Sequence, residues 1–205
     1  MENKQELFEK APVWKAYFII SLPVVFSMLV TLIYNMVDTF FVSGTQNADL
    51  VAGVSQCTPL FTLMLALGDI FGLGGSSIIS RLFGQKADAT AKNVSGFCFY
   101  AAIISGLIVT GLMFLFQTPI LKMLGATDST VKYASQYYFF IAWGAPLIIL
   151  SLTPSNIIRT EGLALQSMIA SVAGSIVNIA LDPLFIFTFK MGAGGAALAT
   201  VMGYV

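Results

Sequence analysis

Histidine is absent from the 205 residues, and charge of either sign is scarce: ten Lys and Arg offset ten Asp and Glu, 10% of the chain. Soluble domains carry about a quarter of their residues charged, so there is too little charge here to wet the surface of a globule. Without histidine the commonest general base and metal ligand is missing. With no net charge and no basic cluster, a nucleic-acid interface has no electrostatic footprint. Disorder is excluded by the 57% apolar content. There are only two cysteines, Cys57 and Cys98, both in apolar runs and not in a CxxC pair, so they read as buried thiols. Gly72-Leu73-Gly74-Gly75 lacks the Gly-Lys-Ser/Thr that a phosphate-binding loop needs. No ATP site and no cofactor is expected, so any energy for work must come from an ion gradient.

What is present is long apolar sequence. A helix needs about 20 apolar residues to cross the bilayer core, and the chain offers five such runs and the start of another: about 17–42, 50–79, 94–116, 131–152, 163–189 and 194–205. The fold class is therefore an all-α polytopic membrane protein. Residues 1–15 form a polar lead-in alternating Lys4, Lys10 and Lys15 with Glu2, Glu6 and Glu9, followed by a single transmembrane unit over 16–205. The first apolar run is too long for a signal-peptide core and has no small-residue cleavage site after it. Placing the N-terminus in the cytoplasm puts seven of the ten basic residues inside (Lys4, Lys10, Lys15, Arg81, Lys86, Lys92, Arg159) and three outside (Lys122, Lys132, Lys190). Short loops and this bias fit a prokaryotic inner membrane. Val205 falls within the last apolar run with no polar cap, so a longer natural chain is expected.

Three acids lie inside the spans: Asp38, Asp69 and Asp182. A charge at mid-bilayer costs about 2.5–3.5 kcal/mol on insertion scales, and no basic residue within a span is evident to pair with them. Such an acid can take up a proton or bind a cation together with neighbouring oxygens, and both make it a carrier of coupling ions. Tyr34 and Asp38 are four apart and share a helix face, as do Asn178 and Asp182. Pro183 disfavours helix at Asp182, which would expose carbonyl oxygens beside it. Asp69 sits ahead of Gly72, Gly74, Gly75, Ser76 and Ser77 on a face suited to close helix contact, with no partner recognisable nearby.

Five segments in order carry a family resemblance: Pro23 with Tyr34-Asn35-x-x-Asp38-x-x-Phe41-Val42; Gly74-Gly75-Ser76-Ser77-x-x-Ser80-Arg81-x-x-Gly84; Ala145-Pro146 with Asn156 to Gly162; Asn178-Ile179-x-Leu181-Asp182-Pro183; and Gly192-x-Gly194-Gly195-Ala196-Ala197-x-Ala199-Thr200. From about Trp14 onward the chain resembles the N-terminal lobe of a multidrug and toxic compound extrusion (MATE) transporter. The resemblance implies about twelve spans in two lobes, of which this chain would be most of the first, with the C-terminal lobe supplied by the same or a separate chain. It implies a secondary active transporter, not an enzyme, that exports cationic or amphiphilic drugs in exchange for H+ or Na+. It also implies a cation site of Asp38, Asn178, Asp182 and Thr200, with any Na+ at Asp38 and Asp182, and a substrate pocket including Tyr34, Ser155 and Asn156. The family's polar residue late in the fourth span falls on Leu152 here, and Asp69 belongs to no family motif. Ion binding would bend or straighten the first span near Pro23 and reshape the pocket by Tyr34.

The competing readings are a lipid-linked precursor flippase of similar architecture, a non-transporting remnant and an intramembrane aspartyl protease. The flippase would want cationic residues in its cavity, where this chain has acids. The protease would need a Gly-x-Gly-Asp element, but Ala66 stands at its first glycine.

Overall fold

The computed structural model describes residues 12–204, so residues 1–11 of the polar lead-in over 1–15 lie outside the described residues, and its last residues, 13–15, already belong to the first helix. The chain folds into α1 (Val13–Ser43), α2 (Ala48–Gln56), α3 (Thr58–Gly84), α4 (Asp88–Leu115), α5 (Gln117–Met123), α6 (Val131–Thr160), α7 (Ala164–Pro183) and α8 (Ala193–Gly203). Leu184–Thr188 continues α7 as one wide π-type turn. Among the described residues, five helical stretches are long and apolar enough to span a membrane: α1, α2 with α3, α4, α6, and α7 with its π turn.

The second span is broken where an uninterrupted run was expected. α2 ends at Gln56 and α3 begins at Thr58 because Pro59 has no N–H to donate, and Cys57 takes up the bend by bonding back to the Val54 carbonyl at 3.0 Å. The fourth span is longer than expected, running through Pro146 and Pro154 to Thr160. Pro146 cannot donate to the Ala142 carbonyl one turn back, and Thr110 of α4 donates its hydroxyl to that oxygen instead, at 2.9 Å. The helix stops only at Gly162, whose positive φ of 78° permits a left-handed turn; Gly162 N–H then bonds Arg159 and Leu163 N–H bonds Ile158. Arg159, expected in a loop, is therefore part of the spanning helix.

α6 is the hub. It packs against α2, α3, α4, α5, α7 and α8, and its buried residues, from Ala134 through Tyr138 and Ile148 to Ile157, cover most of its circumference, leaving one outward stripe of Gln136, Phe139, Trp143 and Leu147. Lipid tails are as apolar as Leu, so spans associate through close van der Waals fit and polar bonds. The fit is set by glycines on the neighbouring helices. A Cβ on Gly68 would come within 2.8 Å of the Ile149 carbonyl oxygen, and one on Gly106 within 2.5 Å of the Pro146 Cα. The Tyr138 hydroxyl crosses from α6 to the Met113 carbonyl of α4 at 2.6 Å. Cys57 and Cys98 are free and buried, as their surroundings in sequence suggested.

α1 is the opposite case. It leans chiefly on α7 and turns Trp14, Phe18, Leu22, Met28, Leu32 and Met36 outward. Pro23 lies within it, and the Ser27 hydroxyl folds back onto the Pro23 carbonyl at 3.0 Å.

Candidate functional site, a buried pair of carboxyls between α1 and α7

α1 and α7 each bring one acid to their shared contact. Asp182 is fully buried at the end of α7, one residue before Pro183 and the π turn, and Asn178, 1% exposed, lies one turn earlier. Asp38 comes from the last turns of α1 and is half-buried. The two carboxyl groups face each other closely enough for each to feel the other's charge. Ionised carboxylates are acceptors only, so neither satisfies the other. Both oxygens of Asp182, one oxygen of Asp38, and both the amide oxygen and nitrogen of Asn178 are buried without a hydrogen-bond partner. Buried polar atoms are nearly always paired, which makes this concentration of unpaired atoms the chemical anomaly of the bundle.

α8 closes the site from a third side. Gly174 of α7 and Gly203 of α8 meet backbone to backbone, so a side chain on either would collide with the other. That approach sets Asn178 against α8, where a Cβ on Gly203 would lie 3.1 Å from the Asn178 Cβ. Thr200, one turn before Gly203, is 3% exposed and donates to its own Ala196 carbonyl at 2.9 Å, leaving its lone pairs available. Tyr34, 7% exposed, has Asp38, Asp182, Tyr137 and Tyr204 among its electrostatic neighbours.

Tyr137 was missed by sequence reasoning. It is buried on α6 and lies in the field of both acids. Its only signal was that Tyr137 and Tyr138 stand together in an apolar run, which does not say which ring meets an acid. Thr153, on α6, is fully buried with an unpaired hydroxyl and was also missed. The donors at the pair are two carboxylates, an amide oxygen and a hydroxyl. These hard oxygen ligands suit a proton or a hard cation rather than a soft transition metal. Among the described residues no cluster of three or more acids or cysteines gathers to hold a metal.

Ser155, Asn156 and Asp69 form a separate group at the α3–α6–α7 contact. The Asn156 amide donates to the Leu152 carbonyl at 3.0 Å and to Asp69 Oδ1 at 3.4 Å. Ser155 pairs with Ser167 at 2.9 Å, and Arg159 Nε donates to the same Ser167 hydroxyl at 2.9 Å. Asp69 thus has the partner that the sequence did not reveal, and a basic group does lie within a span. No hydrogen bond joins this group to the Asp38–Asp182 pair among the described residues.

Comparison with known proteins agrees with this architecture. The MatE family model matches residues 23–184. The multidrug export protein MepA of Staphylococcus aureus is 35% identical over 198 residues, 97% of this chain and 44% of that protein. A MOP-superfamily transporter structure from Pyrococcus furiosus, described as having a binding pocket of reverse polarity, superposes with a TM-score of 0.92 at 32% identity, over 100% of this chain and 44% of that one. An outward-facing multidrug resistance MATE transporter gives the same TM-score and identity over 45% of its length. The chain spans less than half the length of these relatives, and it belongs to the MATE family of multi-pass membrane transporters.

Proposed function

We propose that this chain forms the first lobe of a cation-coupled antiporter, driven by H+ or Na+, that exports cationic or amphiphilic drugs across a prokaryotic cell membrane, with its N-terminus in the cytoplasm. The observation that carries the reading is the set of unpaired buried atoms on Asp38, Asn178 and Asp182. A shared proton or a sodium ion supplies what that set lacks. Asp38 rides on α1, which leans mainly on α7, and Asp182 rides on α7. With both carboxylates bare, their repulsion favours α1 moving off α7; a bound cation draws the helices together. Pro23 removes a backbone bond in α1 and gives that movement a bending point. Tyr34 is on the same helix, so the pocket wall moves with the ion site. Ion and drug then favour different states of one element, as exchange requires. MepA, named as a multidrug exporter, supports drug-like cargo. A flippase for anionic precursors is less favoured by a site built on acids.

The test is ion-driven transport of a fluorescent organic cation by the intact protein in proteoliposomes. Asp38→Asn and Asp182→Asn should each abolish exchange driven by an imposed gradient while leaving a folded protein. Full coupling in both variants would refute the reading. Melting in NaCl against choline chloride separates the ions: a ligand at about 100 times its Kd stabilises by about 2.7 kcal/mol. Sodium-specific stabilisation that Asp182→Asn removes assigns Na+, and its absence with coupling intact assigns H+.

A further inference from the structure

The Asp69 group is not used by the ion site, and it contains an unmade ion pair. Arg159 is near enough for its charge to be felt at Asp69, yet the two form no salt bridge; Arg159 Nε is held by Ser167 instead. Among the described residues the carboxylate accepts one long hydrogen bond, from the Asn156 amide to Oδ1 at 3.4 Å. Gly72 makes this arrangement possible, because a Cβ there would stand 2.7 Å from Asn156 Nδ2.

The face on which Asp69 sits is also distinctive. Thr62, Ala66, Asp69, Leu73, Ser76 and Ser80 recur every three or four residues and so lie on one side of α3, each exposed or half-exposed. Their hydroxyls are turned back onto their own helix, Thr62 to Thr58 at 3.0 Å and Ser76 to Leu73 at 3.1 Å. Asp69 is the sole charge on that stripe. The outward face of α4 is different in kind: Phe97, Tyr100, Ile104, Leu107 and Leu112 suit lipid tails. A helix side with an acid and several hydroxyls faces water or protein, because charged residues in spans turn to cavities rather than lipid. Chain order places the group away from the ion pair. α6 approaches the end where α1 begins, so Asn156 and Arg159 lie in that half, whereas Asp38 and Asp182 lie near the other end.

Resting on the antiport reading above, we propose that Asp69 is a docking point for the cationic centre of the cargo, separate from the Asp38–Asp182 pair, with Asn156 orienting the carboxylate and Arg159 as the resident positive charge against which the cargo competes. An organic cation fits because it offers a weakly hydrated charge with an apolar skirt, and the carboxylate is flanked on the same face by exposed Leu73 and Ala66. An anion would meet Asp69 and be repelled.

The experiment is equilibrium binding to the purified intact protein of tetraphenylphosphonium and of triphenylphosphine oxide, a neutral probe of related shape. Asp69→Asn should weaken tetraphenylphosphonium roughly two- to fivefold, the scale of one partly solvated ion pair, and leave the neutral probe unchanged. Asp69→Glu should keep most of the affinity. Arg159→Gln should tighten the cation roughly two- to fivefold by removing its competitor, a gain that a merely structural role would not produce. Equal losses for both probes in Asp69→Asn, or no loss, would overturn the proposal. If gradient-driven exchange still depends on Asp38 in that case, the antiport reading stands and the Asp69 subsite alone falls.

Discussion

α1 and α6 are both helices of about 30 residues with proline inside them, and they are built for opposite tasks. α6 touches six other helices, and glycines on its neighbours bring backbones together without room for a methyl group. Its Pro146 is repaired by the Thr110 hydroxyl. α1 touches chiefly one helix, and no side chain from another helix donates into the turn preceding Pro23 among the described residues. Proline is thus neutral in a span when a neighbour re-satisfies the freed carbonyl, and a bending point when none does. The two buried acids straddle this divide, since Asp38 belongs to the loosely held helix and Asp182 to the packed body.

Substitutions can break that contrast. The largest expected effect is Gly106→Leu at the α4–α6 crossing. The new side chain meets the Pro146 backbone, which cannot give way, and the melting point in detergent should collapse with a loss of at least about 1–3 kcal/mol. Asp182→Asn should do the reverse: coupling is lost, while the melting temperature holds or rises, because a buried unpaired carboxylate is exchanged for an amide. Thr110→Val keeps the side-chain shape but withdraws the donor from the Ala142 carbonyl, and should cost about 0.6 kcal/mol in unfolding measurements. Pro23→Ala should leave the unfolding free energy within about 0.5 kcal/mol of the parent and slow drug exchange; a large stability change there would mean that α1 is as firmly packed as α6. Met28→Leu, on the exposed side of α1, should change neither quantity.

Much of this was legible in the sequence, and the boundary of legibility has a physical cause. Hydropathy alone locates the spans, since an unbroken apolar run of this length satisfies its backbone in lipid by forming a helix. Helical spacing correctly sets Tyr34 with Asp38 and Asn178 with Asp182, because four-residue spacing acts within a single helix. It is silent about rotation of one helix against another. The Asp69–Asn156 bond joins residues 87 apart. The nearness of Tyr137 to the acids and the packing of Asn178 against α8 depend likewise on how closely glycine-bearing helices approach. The break at Cys57 is a local effect of Pro59 hidden inside an unbroken apolar run. The continuation of α6 past Pro154 depends on the cap at Gly162, which lies beyond the apolar run altogether.

α7 has one consequence that neither polar group has alone. Ser167, in its first turn, holds Arg159, and Asp182, in its last, faces Asp38. Fifteen residues of helix between them make a rod of about 22 Å. A displacement of that rod along its own axis is shared by both ends, so the grip on the arginine and the spacing of the two acids shift together.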